Sequence, residues 1–347
     1  LTCTHASQPH KIDSSSPTRP QTAMRALLLM IVGASAVAVE KRRGRVSSPP
    51  LPAQKVPVIG ILAQPSTRTP FKQYVASSYV KWVEMAGGVA VPLSYVASNA
   101  TTQKLLEQLD GVLLPGGSNP PLPDAARVSV AYALDASSRN ESFPVWGTCL
   151  GFEWLVEVLA PGALQTGFDA ENVSMALSLT EKAAASYLLG GSQKLRSDLS
   201  SKPLAMNNHY RGIEPSNFAA DRRLALFDVL STNQDRQGRP FVSTIESAQN
   251  LYAVQWHPEK NAFENALSKD GTPFEGINHS SEAVAATFAL AQSFVGRARA
   301  SRHQFVARDA WRFENCVVGE KHRPDFVGAY DLPLAWDGVA APCVNII

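Results

Sequence analysis

The chain has 347 residues, 45% of them hydrophobic and 18% charged, which is enough apolar matter for a sizeable core and excludes disorder as the dominant state. Its 32 basic residues face 30 acidic ones, so a nucleic-acid binder working by bulk charge is excluded, and any charged substrate has to be met by local residues. The order of apolar and polar segments along the chain predicts an α/β fold, a mainly parallel central sheet flanked by helices.

Met24-Arg25 precedes the apolar run Ala26 to Val32, and the small-x-small triplets Ala34-Ser35-Ala36 and Ala36-Val37-Ala38 follow it. That order defines an expected signal peptide over 24–38, too short in its apolar part to span a bilayer. Residues 1–23 are then expected to be non-native or upstream sequence. The basic, proline-rich stretch 39–54 reads as a linker. No second stretch is apolar and long enough for a membrane span.

Removing Cys3 with the leader leaves Cys149, Cys316 and Cys343, an odd number for an oxidising route. Cys316 and Cys343 are candidates for a disulfide, which would leave Cys149 free. Four acceptor sequons, at Asn99, Asn140, Asn172 and Asn278, agree with a secretory route.

Beyond the linker, strands and helices alternate. Val56 to Leu62 is nearly all apolar, as a strand buried on both faces is. Residues 72–86 carry apolar positions at helical spacing and stop at Gly87-Gly88. Val89 to Leu93 reads as a strand, 102–109 as a helix, and Gly111 to Leu114 as a strand ending in Pro115-Gly116-Gly117. A polar, proline- and serine-rich stretch follows over 119–142. Phe143 to Gly147 reads as a strand leading through a tight turn into a helix, Phe152 to Leu159. Further strands are expected at Phe241 to Ile245 and Leu251 to Trp256, and a last helix over Ser281 to Arg299. The alternation predicts a mainly parallel sheet, in a catalytic domain over 55–300. Residues 301–347 read as a C-terminal extension without a strong pattern.

Gly147-Thr148-Cys149-Leu150-Gly151 joins a buried strand to a helix. Small residues two positions away on each side permit a sharp turn that exposes the middle side chain, the logic of a nucleophile elbow. A thiol there meets the positive helix end, which favours thiolate, and the N–H of Leu150 is placed to bind an oxyanion. His257 ends a strand, and so falls on the same C-terminal edge of a parallel sheet as Cys149. Glu259, two positions on, can orient the imidazole. The loop after the third strand offers the N–H of Gly117 as a second oxyanion donor.

Together these segments resemble the class I glutamine amidotransferase superfamily and, within it, most closely the γ-glutamyl hydrolases. The resemblance rests on VPVIGILAQP (56–65), SSYVKWVEMAG (77–87), LDGVLLPGGS (109–118), FPVWGTCLGFEWL (143–155), NNHYRGI (207–213) and YAVQWHPEKNAFE (252–264), and spans roughly 55–298. It stops short of 119–142 and 301–347. It implies an amidotransferase-like, flavodoxin-like fold and a Cys149-His257-Glu259 triad, with Gly117 and Leu150 as oxyanion donors. His209 and Tyr79 match residues near the substrate, with Gly116 beside them, and Glu153 matches an acidic residue behind the nucleophile. Taken alone, Tyr79 sits on an apolar helix face suited to packing, and His209 in a polar stretch that reads as loop.

The resemblance further implies a small-molecule substrate, folate or antifolate poly-γ-glutamate, cleaved through a thioester. It implies no metal, no organic cofactor and no nucleic acid, a homodimer, and a secreted, vacuolar or lysosomal product. The same residues also suit a glutaminase-type amidotransferase domain, another γ-glutamyl peptidase, or a binding protein that keeps the fold.

Overall fold

The computed structural model describes residues 54–66, 72–118, 120–313, 328–333 and 336–340. The expected leader, most of the expected linker and both Cys316 and Cys343 lie outside the described residues. Element order begins β1 (Val58–Leu62), β2 (Gln64–Pro65), β3 (Lys72–Ala76), α1 (Ser77–Met85), β4 (Val89–Leu93), α2 (Asn99–Leu106), β5 (Gly111–Leu114), α3 (Asp124–Ser138), β6 (Val145–Thr148) and α4 (Leu150–Leu159). It continues with β7 (Gln165–Met175), β8 (Ser178–Leu179), α5 (Gln193–Ser201), β9 (Ala205–Gly212), α6 (Pro215–Ala220), β10 (Phe227–Gln234), β11 (Pro240–Ser247), β12 (Leu251–Val254), α7 (Lys260–Phe263), α8 (Ser281–Ala298), α9 (Arg308–Trp311) and β13 (Ala329–Pro333).

Eight strands form the main sheet in the order β4-β1-β5-β6-β12-β11-β10-β8. The first five run parallel and the last three are joined antiparallel. Strand alternation sorts the side chains by face. Ile59, Ile61, Leu113, Trp146, Tyr252 and Val254 join Trp82 of α1 and Phe294 of α8 in one core. Val58, Leu62, Val112, Leu114, Val145 and Leu251 join Leu105 of α2, Val130 of α3 and Phe152 of α4 in the other. Burial on both faces is why these strands read as unbroken apolar runs.

Three segments depart from the sequence reading. The helix expected over 72–86 starts only at Ser77, because Lys72–Ala76 pairs as a strand with β2 and β13. The partner β13 comes from the segment read as an extension, and no local periodicity announces a pairing across some 250 residues. The stretch after the Pro-Gly-Gly loop holds the 15-residue helix α3, whose core face is mostly alanine (Ala125, Ala126, Ala133, Ala136), so its apolar stripe is faint. The NNHYRGI stretch read as loop is strand β9, paired antiparallel with β7. Elsewhere the expected elements are present, with ends shifted by a few residues.

Among the described residues no helix is long and apolar enough to cross a membrane. Asn99, Asn140 and Asn172 are exposed and Asn278 is half-buried.

Candidate active site

The turn between β6 and α4 holds Cys149 at φ 50° and ψ −105°, a left-handed conformation that a side chain adopts at a cost. Two backbone bonds fix it. The Cys149 N–H donates to the Val254 carbonyl at 2.8 Å, and its carbonyl accepts from the Glu153 N–H at 3.0 Å. The flanking glycines allow the helix to fold back this tightly. A Cβ on Gly147 would stand 2.6 Å from the Gly151 carbonyl oxygen, and one on Gly151 only 1.9 Å from that of Leu114.

The thiol is 5% exposed. Its expected thiolate character is not what the surroundings favour. Burial raises its pKa most, the Glu153 carboxylate raises it further, and Lys260 and the Leu150 N–H only partly offset them. The sulfur lies 3.9 Å from the Asn208 carbonyl, the partner a protonated thiol takes. Burial outweighs what the start of α4 offers through the Leu150 N–H, so the environment favours the protonated thiol.

His257 lines the same cavity as Cys149. The His257 N–H is tied to the Met206 carbonyl of β9 at 2.8 Å, and its ring Nδ1 lies 2.8 Å from Glu259 Oε1. Both side chains are buried. With Nδ1–H donated to the carboxylate, Nε2 is left as the basic nitrogen. Tyr79, also buried, accepts the Gly116 N–H on its hydroxyl at 2.8 Å, 3.4 Å from His257 Nδ1. Gly116 stands where these groups converge: a Cβ there would lie 2.6 Å from His257 Cε1, 2.7 Å from the Tyr79 hydroxyl and 3.3 Å from Cys149 Cβ. Its own N–H is thereby engaged with Tyr79.

The Pro-Gly-Gly loop is shaped by Gln64, which sequence reading passed over. Its Nε2 donates to the carbonyls of Gly116 at 2.9 Å and Pro115 at 3.3 Å, and it fills the space a side chain on Gly117 would need. A cavity of about 310 Å³ opens over this assembly, lined by Tyr79, Gly116, Gly117, Ser118, Cys149 and His257 together with Glu171, Asn208, Lys260, Phe274 and Glu275. Asn208 and Lys260 lie within the segments NNHYRGI and YAVQWHPEKNAFE but are not singled out there, and Glu275 lies outside every such segment; the tertiary fold brings the three to one cavity.

His209 is not in a polar loop. It lies on β9, 4% exposed, with its ring edge-on to Phe241 at 4.8 Å between centroids and Nδ1 2.7 Å from the Arg211 carbonyl. Burial brings its pKa down to about 4, so it is neutral at ordinary pH. It does not line the cavity. Glu153, behind the nucleophile, is buried between Gln255 and Arg211, and burial lifts its pKa to about 7.

A buried cysteine on a strained strand–helix turn, an imidazole oriented by a carboxylate, and a glycine loop over one cavity define a cysteine-type amide hydrolase on an α/β sheet. Comparison with known proteins agrees. The Peptidase C26 model matches residues 57–259. Gamma-glutamyl hydrolase B of Dictyostelium discoideum is 37% identical over 72% of this chain and 74% of its own length. The gamma-glutamyl hydrolase of Bos taurus is 36% identical over 82% and 89%, and that of Homo sapiens 34% over 80% and 86%. Among solved structures, the glutaminase domain of Trypanosoma brucei CTPS aligns with 73% of this chain and 99% of that one, at TM-score 0.45 and 15% identity. The chain belongs to the peptidase C26 family and, like these relatives, is a cysteine hydrolase of γ-glutamyl bonds.

Proposed function

We propose that the substrate is the poly-γ-glutamate tail of a folate or antifolate, and that Cys149, His257 and Glu259 carry the reaction. The Cys149 sulfur attacks the γ-amide carbonyl while His257 Nε2 takes its proton. The N–H groups of Leu150 and Gly117 hold the oxyanion of the tetrahedral intermediate. The imidazolium, its charge supported by Glu259, gives the proton to the departing amine. A γ-glutamyl thioester is left on Cys149. Water then enters, His257 removes one of its protons, and the thioester collapses to the free γ-carboxylate and the thiol. Tyr79 sets its hydroxyl beside the imidazole and holds the Gly116 loop through the Gly116 N–H. His209 stays behind the cavity wall, a neutral ring on β9 next to Asn208, which lines the cavity. The leader and the sequons support a secreted, vacuolar or lysosomal destination.

The observation that carries this reading is the His257–Glu259 contact of 2.8 Å, made at the rim of the same cavity that Cys149 lines. Incubation with a folate pentaglutamate, followed by chromatography of the products, tests it. The expected products are shorter folates and released glutamate or γ-glutamyl oligomers. Ammonia from free glutamine with an untouched pentaglutamate would instead identify a glutaminase.

A further inference from the structure

The cavity that Cys149 lines also holds a buried ion pair that the hydrolytic steps do not use. Lys260 Nζ contacts both carboxylate oxygens of Glu275, at 2.5 and 2.6 Å, and the two side chains are 5% and 8% exposed. Asn208 Nδ2 donates to the same Glu275 oxygen at 2.8 Å. An ammonium and a side-chain amide thus converge on one carboxylate inside a substrate cavity. Among the described residues that line it, Lys260 is the only cation.

We propose that this is the binding site for the α-carboxylate of the γ-glutamyl unit being cleaved, and that Glu275 occupies it until substrate displaces it. The inference rests on the chain's cleaving γ-glutamyl bonds. Such a unit carries an α-carboxylate a few bonds from its scissile γ-carbonyl, and a carboxylate is what Lys260 and Asn208 already hold. Exchanging one carboxylate for another keeps the buried charge balanced, which avoids the large cost of leaving the ammonium unpaired. A buried ion pair is weak evidence for a stabilising role, since its desolvation cost rivals its attraction.

The segment that carries Glu275 is suited to yield. Between α7 and α8 the chain holds one isolated β-bridge, Leu267 to Pro273, and exposes Leu267 and Phe274. It is pinned next to Glu275 by two exposed contacts, the Gly276 N–H to Asn172 Oδ1 at 2.6 Å and Ser174 Oγ–H to the Gly276 carbonyl at 2.7 Å. The segment is a strap that lays its own carboxylate on Lys260 and Asn208.

The test compares p-aminobenzoyl-γ-diglutamate with an analogue whose first glutamate bears an α-carboxamide, on the full chain. Wild type is expected to lose about 100-fold in kcat/KM on the amide, the scale of a lost charge-assisted contact. Lys260→Gln is expected to lose a similar factor on the acid and little more on the amide, with Lys260→Arg restoring part of it. Glu275→Gln is expected to lower KM for the acid several-fold, and this arm stands even if Lys260→Gln fails to fold. Equal cleavage of acid and amide by wild type, an equal penalty on both substrates in Lys260→Gln, or an unchanged or raised KM in Glu275→Gln overturns the inference while leaving γ-glutamyl cleavage intact. Failure of wild type to cleave either substrate defeats the γ-glutamyl reading itself, and the inference with it.

Discussion

Gly151 packs against the end of β5 so closely that a Cβ on it would stand 1.9 Å from the Leu114 carbonyl oxygen. Backbone on backbone cannot yield as a flexible side chain can, so the elbow depends on this glycine. Gly151→Ala is expected to destabilise by about 3 kcal/mol or more, the range of strained core changes. Gly191→Ala, where nothing lies within 4 Å, is expected to stay within about 0.5 kcal/mol of wild type. Denaturant midpoints of the two variants check this, and similar midpoints would contradict the close packing.

Cys149→Ala is expected to abolish turnover, a loss of about four orders of magnitude or more in kcat. The melting temperature should change little, because one buried sulfur is lost and the backbone bonds to Val254 and Glu153 remain. Retained turnover would remove the nucleophile from the mechanism.

Glu153, one turn into α4 from Cys149, has a pKa near 7, and its charge is among the causes that raise the thiol's pKa. Above pH 7 the carboxyl is ionised and suppresses thiolate. Near pH 5.5 it is protonated and neutral. Glu153→Gln is therefore expected to speed alkylation of Cys149 by iodoacetamide several-fold at pH 8 and to leave the rate at pH 5.5 almost unchanged. The pH profile of alkylation, measured by mass spectrometry, reads it. Equal acceleration at both pH values would point to a steric effect.

His209 and Glu153 give stability opposite dependences on pH. His209 titrates near 4 when folded against an ordinary 6.5, so the unfolded chain takes up a proton the folded one refuses, and stability falls as pH drops from 6.5 toward 4. Glu153 titrates near 7 when folded against an ordinary 4.5, so its contribution is present below 4.5 and is lost as pH rises toward 7. The two slopes largely offset. Replacing the histidine alone, as in His209→Gln, uncovers the glutamate's slope: relative to wild type, the variant should gain about 2 kcal/mol between pH 6.5 and pH 4.5. Urea unfolding at those two values measures the change, and a constant difference would mean that His209 charges freely in the folded protein.

Gln64 holds the loop that presents Gly117, through the carbonyls of Pro115 and Gly116. Gln64→Ala leaves those carbonyls short of a donor and opens space under Gly117. A loosened oxyanion donor acts on the transition state, so kcat is expected to fall about 10- to 100-fold with KM nearly unchanged. A rise in KM at constant kcat would instead make Gln64 part of the substrate-binding surface.

Local sequence determined the parts of this protein whose physics is local. Continuous apolar runs predict the parallel strands, because burial on both faces leaves no polar face to alternate. Glycines two positions either side of Cys149 predict the elbow, because only close backbone packing needs both. Glu259 reaches His257 within one short turn after β12, which ends at Val254, rather than by the strand alternation expected of the spacing. Tertiary structure alone decided the rest. A strand forms at Lys72–Ala76 because β2 and β13 lie beside it. His209 is buried because Phe241 arrives from a strand 32 residues later in the chain. The thiol's pKa is pushed up because the depth of its burial, set by the whole sheet, outweighs the Leu150 N–H that its own sequence supplies. Lys260 and Glu275 meet across a segment with almost no regular structure. Burial and the pairing of distant charges are sums over everything packed around a group, and a stretch of sequence holds only its own share of that sum.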